Sequence, residues 1–524
     1  MKAFTEPLLS LAGFEEMTKT AEKSSGLISV TGCIDAQKSQ MIYAFGGHRK
    51  NKLIVTFGEQ KAKELYDEYS FFDKEVVYYP SKDVLFYQSD IRGNLLTAER
   101  IRALKAIREQ ERVTLVTTFD ALMNTMAPIE KMWENVLTLE QGQLLDLKEI
   151  QAALIRMGYE KEYQVQTMGQ FSVRGGILDV FPLTEENPIR IELWGDEIDT
   201  IRYFDCESQK SIENTDRVSI YPAAEIVLSD EEKAGGIEKL KAEAKRVSDK
   251  LRKQMKTEEA HRVTVMADEL TEEWGELSMY AGMDAFLSYF FDERVGLLDY
   301  FKPSDSLIFF DELTRCTEQG KLTETEFSES MKQRLAMGYI LPGQMNGLFT
   351  EKEIVAKLEK YSCIALGALD NKANGLHQLG SYGIHCQSVS PYNNSFELLI
   401  KDLKRYKKNG YRVILLSGSR TRAKRLSEDI TDQGITCFYT ENYDHELFEG
   451  QIMVCYGKVR RGFEYPILKF AVITESDIFG AQQKKKKRHR TYEGEKIQSF
   501  TDLSVGDYVV HENHGLGIYR GIEK

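Results

Sequence analysis

The sequence predicts an α/β multidomain protein that carries an antiparallel α+β insert, a second α/β domain and the opening of a C-terminal β domain. Three observations predict it. Strand-like and helix-like patterns alternate through the first 120 residues, which indicates a parallel sheet. Between about 140 and 222 the apolar period drops to two, with turn signals between short segments. From roughly 350 to 480 the alternation of strands and helices returns.

The elements follow in order. MKAFTEPLLSLAGFEEM reads as an amphipathic helix, because acids flank its apolar stretch and no small-residue cleavage site follows. Leu27-Ile28-Ser29-Val30 is a short strand ending at Thr31-Gly32, and Leu53 to Phe57 is a second, followed by a charged helix from about Gln60. Val76 to Tyr79 and Val113 to Thr117 are two more, separated by a helix between Leu96 and Gln110. A helix from Leu147 to Met157 stops at Gly158. The alternating segments Gln170 to Val173, Ile177 to Phe181, Ile189 to Trp194 and Glu197 to Phe204 then read as antiparallel strands. Residues 230 to 300 are helical and heavily charged. Asp305 to Phe310 is a buried strand, and the polar stretch Thr317 to Gln333 reads as the approach to the second α/β unit. The strands expected there are Cys363 to Leu366, Arg412 to Leu416, Thr436 to Tyr439, Ile452 to Tyr456 and Leu468 to Ile473. Residues 481–498 read as an exposed linker. Asp507 to Val510 and Gly517 to Tyr519 begin a β domain that the remaining residues are too few to close.

Composition sets limits. A chain of 524 residues exceeds one hydrophobic core. No run approaches the roughly eighteen apolar residues of a spanning helix, so no membrane role is expected. Seven singly scattered cysteines offer no zinc spacing and fit reduced thiols in a cytoplasmic protein. The net charge of -13 argues against a general nucleic-acid-coating protein and favours protein partners.

Two motifs suggest a decayed nucleotide site. Gly32-Cys33-Ile34-Asp35-Ala36-Gln37-Lys38-Ser39 matches a phosphate loop except that Gln37 replaces the second glycine. A side chain there crowds the cradle, and Asp35 adds a negative charge to it. Phe309-Phe310-Asp311-Glu312 matches a strand end whose acids would help hold Mg²⁺. Gly32, Gln37, Lys38, Ser39, Asp311 and Glu312 therefore form a degenerate nucleotide-binding set, in a P-loop-NTPase-like domain expected neither to bind ATP tightly nor to hydrolyse it. Ser417-Gly418-Ser419 precedes Arg420, Arg422, Lys424 and Arg425 between a strand and a helix, where anions often bind. The preferred reading there is a helix cap with a solvated basic face. The block Lys484 to Arg490 is read equally as a solvated linker or a phosphate contact.

The run from Phe171 to Pro182 (FSVRGGILDVFP), followed by Ile189-Arg190-Ile191-Glu192-Leu193 and Asp196 to Asp199, resembles the insert domain shared by UvrB and bacterial transcription-repair coupling factors. Gly506 to Tyr519 (GDYVVHENHGLGIY) resembles the opening of the CarD-like RNA-polymerase-interacting domain. His511 and His514 within it are assigned to turn and strand packing and not to a metal. The damaged phosphate loop and this final segment separate the chain from UvrB, and it resembles the N-terminal part of a coupling factor.

That resemblance implies a UvrB-like α/β domain in two parts (1–130 and 223–345) around a UvrA-binding-type insert (131–222). It also implies a second α/β domain (346–480), a basic linker (481–500) and the start of the CarD-like domain (501–524). It implies UvrA binding through Arg174 with Phe171, Phe181 and Lys161. It implies contact with the RNA polymerase β subunit once the last domain is completed, the short tail by itself being expected to bind weakly. No catalytic residue or cofactor is expected in this portion. ATP, Mg²⁺ and double-stranded DNA belong to a translocase motor that is absent. The function implied is a platform recruiting UvrA to lesion-stalled polymerase in transcription-coupled nucleotide excision repair. The rivals are a UvrB-type ATP-dependent helicase and a stand-alone transcription regulator.

Overall fold

In the computed structural model, residues 1–46, 49–82, 94–276, 282–369, 375–480, 508–511 and 515–518 are described. Residues 1–480 form one compact unit and 481–524 another.

The first unit opens with the helix α1 (Phe14–Lys23), preceded by shorter turns in place of the single N-terminal helix expected. Strands β1 (Gly26–Thr31), β2 (Asn51–Thr56), β3 (Val77–Tyr79) and β4 (Val113–Thr118) follow, alternating with helices α2 (Asp35–Phe45), α3 (Glu59–Tyr69) and α4 (Asn94–Glu109). The insert contributes helix α5 (Leu147–Arg156) and strands β5 (Glu160–Lys161), β6 (Gln170–Arg174), β7 (Ile177–Val180), β8 (Ile189–Trp194), β9 (Glu197–Phe204) and β10 (Ser211–Thr215). Helices α6 (Asp230–Lys253) and α7 (Thr257–Glu276) form a hairpin. The chain then returns to the first sheet through β11 (Ser306–Asp311), helices α8 (Leu313–Ala336) and α9 (Glu351–Leu358), β12 (Ser362–Leu366) and β13 (Gln378–Gly383).

The first sheet is seven-stranded in the order β13-β1-β12-β11-β2-β4-β3, and every pairing in it is parallel. Its strands are apolar on both faces, as a doubly covered parallel sheet requires. Leu53, Val55, Ile308 and Phe310 point to one core, whereas Ile54, Leu307 and Phe309 point to the other. Cys363 to Leu366 pairs with β1 and β11, so this strand belongs to the first sheet and not to the second α/β domain (346–480) expected from sequence order. The polar stretch Thr317 to Gln333 lies within α8, a 24-residue helix with only six buried residues.

The second sheet comprises β14 (Gln387–Ser388), β15 (Arg412–Ser417), β16 (Phe438–Tyr439), β17 (Ile452–Tyr456), β18 (Phe463–Tyr465) and β19 (Phe470–Thr474). Its order is β14-β18-β19-β15-β17-β16, parallel around β15 and antiparallel at the β18 edge. One face packs on helices α10 (Phe396–Lys408) and α11 (Arg420–Asp432). The other face shares a continuous core with the first sheet: Ile414, Leu416, Met453 and Phe470 cluster with Ile28, Val30, Met41 and Phe72.

Glu68 on α3 borders this shared core. It is buried, and its Oε1 has no hydrogen-bond partner among the described residues. Burial pushes the carboxyl up to about 8, against the pull of Arg460 and Lys61. The folded state therefore holds a proton that the unfolded chain releases near pH 4.5, and stability falls as pH rises from there to about 8. Glu68→Gln should flatten that slope and raise stability at pH 8 by on the order of 2 kcal/mol, measured by urea unfolding across pH.

The insert is a six-stranded sheet in the order β10-β9-β8-β7-β6-β5, antiparallel except at the β5–β6 edge. Its base is an antiparallel pair, Leu137–Glu140 with Arg217–Ile220, in which Leu137 faces Ile220. Beyond that pair Glu225 is clamped by Arg100 (2.8 and 3.0 Å) and by Lys82 (2.9 Å). Burial opposes the Glu225 charge, but these two cations hold its carboxyl down at about 2. In the second unit, the structure describes one hairpin: β20 (Tyr508–His511) pairs with β21 (Gly515–Ile518). The basic block Lys484 to Arg490 and the rest of the CarD-like segment lie outside the described residues.

Candidate functional site

The degenerate phosphate loop lies at the C-terminal end of β1. A phosphate cradle needs a loop wide enough to surround an oxyanion with backbone N–H groups. Here α2 begins at Asp35, which leaves only Gly32, Cys33 and Ile34 between strand and helix. Gly32 N–H donates to the Ala368 carbonyl (3.2 Å), and Cys33 N–H donates to that of Gly367 (3.0 Å). Gly32 has φ +77°, and a Cβ on it would lie 2.1 Å from the Ile384 carbonyl oxygen, so only glycine fits. Gln37 is fully buried, with its amide beside the Cys33 thiol, which fits a side chain filling the volume a second glycine would leave open. The Ser39 hydroxyl is buried and has no hydrogen-bond partner among the described residues.

Lys38 is the centre of the cluster. Its ammonium is 1% exposed and contacts Asp311 at 2.5 Å, Asp35 at 3.0 Å and Glu312 at 3.0 Å. Asp311, also buried, accepts from the Thr56 hydroxyl at 2.9 Å. Glu312 takes the left-handed conformation (φ +59°) and accepts a further bond from Ala368 N–H at 3.2 Å. Burial works against the charge on Asp35, yet Lys38 and Lys61 keep its carboxyl at about 2. Burial also works against the charge on Lys38, and the acids around it outweigh that and raise its affinity for the proton. Of the residues picked from the sequence, Lys38, Asp311 and Glu312 meet, and the two acids pair with the lysine. The lysine that would hold phosphate is spent on the acids that would hold Mg²⁺.

The insert presents a different surface. Strand alternation sends Phe171, Leu178, Val180, Ile189 and Ile191 into its core. The opposite face carries Ser172, Asp179, Arg190 and Arg202 in one cross-strand row. Arg174, Ile177, Glu192 and Thr200 form the next. Asp179 is 2% exposed and joins two arginines. Arg190 bonds it twice (2.7 and 2.8 Å) and stacks on the Phe204 ring at 4.3 Å, while Arg174 reaches it at 2.8 Å and stays 36% exposed. Arg202 holds the Glu192 carboxyl below its usual range, with burial opposing.

Of the four contact residues expected in the insert, Arg174 and Lys161 are at the surface, with Lys161 donating to Gln151 at 2.7 Å. Phe171 is wholly buried and Phe181 nearly so, so neither offers a partner an exposed surface. Arg190, Glu192 and Arg202 were not singled out. Their alternation with Ile189, Ile191 and Ile201 was the available signal. Among the described residues no group of three His, Cys, Asp or Glu could hold a metal ion, and no helix is long and apolar enough to cross a membrane. The seven cysteines are all free thiols.

Comparison with known proteins fits this geometry. Residues 137–226 match the model of the UvrB interaction domain, and residues 503–524 match that of the CarD-like/TRCF RID domain. The transcription-repair-coupling factor of Bacillus subtilis (strain 168) is 29% identical over 473 residues, covering 90% of this chain and 40% of that protein. That of Staphylococcus haemolyticus (strain JCSC1435) is 28% identical over 508 residues, 95% of this chain and 42% of the relative. The chain thus spans about two fifths of the length of these relatives. With residues 137–226 matching the UvrB interaction domain and residues 503–524 matching the CarD-like/TRCF RID domain, the chain is similar over at least nine tenths of its length to transcription-repair coupling factors.

Proposed function

We propose that this chain is the docking portion of a cytoplasmic transcription-repair coupling factor, recruiting UvrA to RNA polymerase stalled at a lesion. The observation that carries the reading is the outer face of the insert. There Arg174 is half-exposed and preoriented by a buried carboxylate, in a sheet that matches the UvrB interaction domain. Arginine held in this way loses little freedom on binding and suits an interface centre. The segment from 503 onward, similar to the CarD-like/TRCF RID domain, supports an RNA polymerase partner, the β subunit by resemblance. ATP, Mg²⁺ and double-stranded DNA belong, in this reading, to the motor of the whole protein. The helicase alternative requires a working phosphate loop, and the commitment of Lys38 to three carboxylates weighs against it.

Arg174→Ala tests the reading. Asp179 keeps both bonds from Arg190, so the fold should hold. Binding to purified UvrA should weaken more than roughly tenfold, in line with loss of about 2 kcal/mol at an interface centre. Unchanged UvrA affinity in a variant of unchanged melting temperature would remove Arg174 from the contact.

A further inference from the structure

We propose that the C-terminal edge of the second sheet binds the phosphodiester backbone of a nucleic acid. Two segments far apart in sequence converge there. Residues 417–425 contain Arg420, Arg422, Lys424 and Arg425, residues 457–461 contain Lys458, Arg460 and Arg461, and neither segment contains an acid. Gly457 N–H donates to the Ser417 carbonyl at 3.0 Å, and the Ser476 hydroxyl donates to the Arg460 carbonyl at 2.5 Å, so the two loops adjoin at the carboxyl ends of β15 and β17. Crevices outside the carboxyl ends of parallel strands are where open α/β sheets bind ligands.

The charge distribution of α11 runs against its own dipole. Four cations occupy its first six residues, while Glu428, Asp429 and Asp432 lie in its second half. Helix α10 shows the favourable order, with Glu397 in its first turn and Arg405, Lys407 and Lys408 in its last. Cations at a helix N-terminus are repelled by it, and a bound anion relieves that repulsion. The loop already accommodates an oxyanion: the Glu475 carboxylate accepts from Ser417 Oγ (2.8 Å) and Gly418 N–H (2.6 Å), and Arg422 pairs with it. Arg420 faces Glu441 and Arg460 faces Glu64. Lys424, Arg425 and Lys458 are exposed and have no ion pair among the described residues, and Lys424 lies over the Tyr439 ring at 5.5 Å. Cations spread over two loops and a helix turn, on a chain of net charge -13, fit a polyanion better than a single small phosphate.

The test is fluorescence anisotropy of the full 524-residue chain with a labelled duplex of about 24 base pairs, between about 50 and 200 mM salt. Replacing Lys424, Arg425 and Lys458 together with alanine breaks no ion pair among the described residues. It should weaken binding more than roughly tenfold and lower the slope of log affinity against log salt by about 2 to 3. Glu475→Gln, which frees Arg422, should tighten binding several-fold. A third variant, with Lys484 to Lys487 changed to alanine, separates the contribution of that block and should leave the effect of the triple replacement intact. Unchanged affinity and slope in the triple variant would overturn the proposal. So would binding carried entirely by Lys484 to Lys487, or polyglutamate displacing the duplex charge for charge, which would mark the edge as a site for acidic protein.

Discussion

Lys38→Met should destabilise the first sheet by about 3 to 5 kcal/mol and leave nucleotide affinity as it was, absent or weak. The reason is the burial of Asp311. With the ammonium gone, a carboxylate that is 1% exposed keeps, among the described residues, one side-chain hydrogen bond, from Thr56, and no countercharge. An uncompensated buried charge is costly, whereas removing both partners of a pair is cheaper. The double variant Lys38→Met/Asp311→Asn should therefore recover a large part of the loss, since the asparagine can still accept from Thr56. Urea unfolding of the three proteins checks the energies, and calorimetry with Mg-ATP checks the loop. Micromolar ATP binding that disappears in Lys38→Ala would show that the loop opens and that the ion cluster is a resting state of a working site.

Asp179→Ala should open the insert. It removes the shared acceptor of Arg174 and Arg190, and Arg190, 12% exposed, keeps Gln209 as its hydrogen-bond partner at 2.9 Å. A loss of about 3 kcal/mol is expected, which is on the order of a hundredfold faster amide exchange where exchange proceeds through opening of the insert. Exchange should rise in β6, β7 and β8 and stay unchanged in β1 and β2, because the insert has its own core. Loss of UvrA binding in this variant would follow from unfolding and says nothing about contact. Arg174→Ala, which keeps the Asp179–Arg190 pair, is the informative contrast. Equal exchange in Asp179→Ala and the parent would mean that the arginines find other acceptors and that Asp179 does not organise the face.

The strands were legible where an apolar run ended in a turn signal. Leu27 to Val30 and Leu53 to Phe57 became β1 and β2, and the hairpins of the insert appeared within a residue or two of their expected limits. Sequence order could not show that Cys363 to Leu366 turns back to lie between β1 and β11, because a parallel strand carries no local mark of its neighbours. Helix α8 escaped because six buried positions in 24 residues give a weak stripe. In the nucleotide-type loop, the motifs supplied Lys38, Asp311 and Glu312 as one set, but not that the acids would pair directly with the lysine. Only the early start of α2 and the sheet order bring them together. In the insert, the motif supplied Arg174, whereas Asp179 becomes the acceptor it shares with Arg190 through cross-strand register.

The base of the insert has a mechanical consequence. Because Leu137 faces Ile220, the chain enters and leaves the insert on two adjacent strands. A partner pulling on the far end loads both strands in tension along one direction, so the rungs between them carry no shear. Both strands pass the force to the body, where Glu225 is held by Arg100 and Lys82, Tyr221 by Glu109 and Lys105 by Glu185. Under load these links should yield before the six-stranded sheet does, letting the insert swing out intact on a double tether with its outer face still assembled.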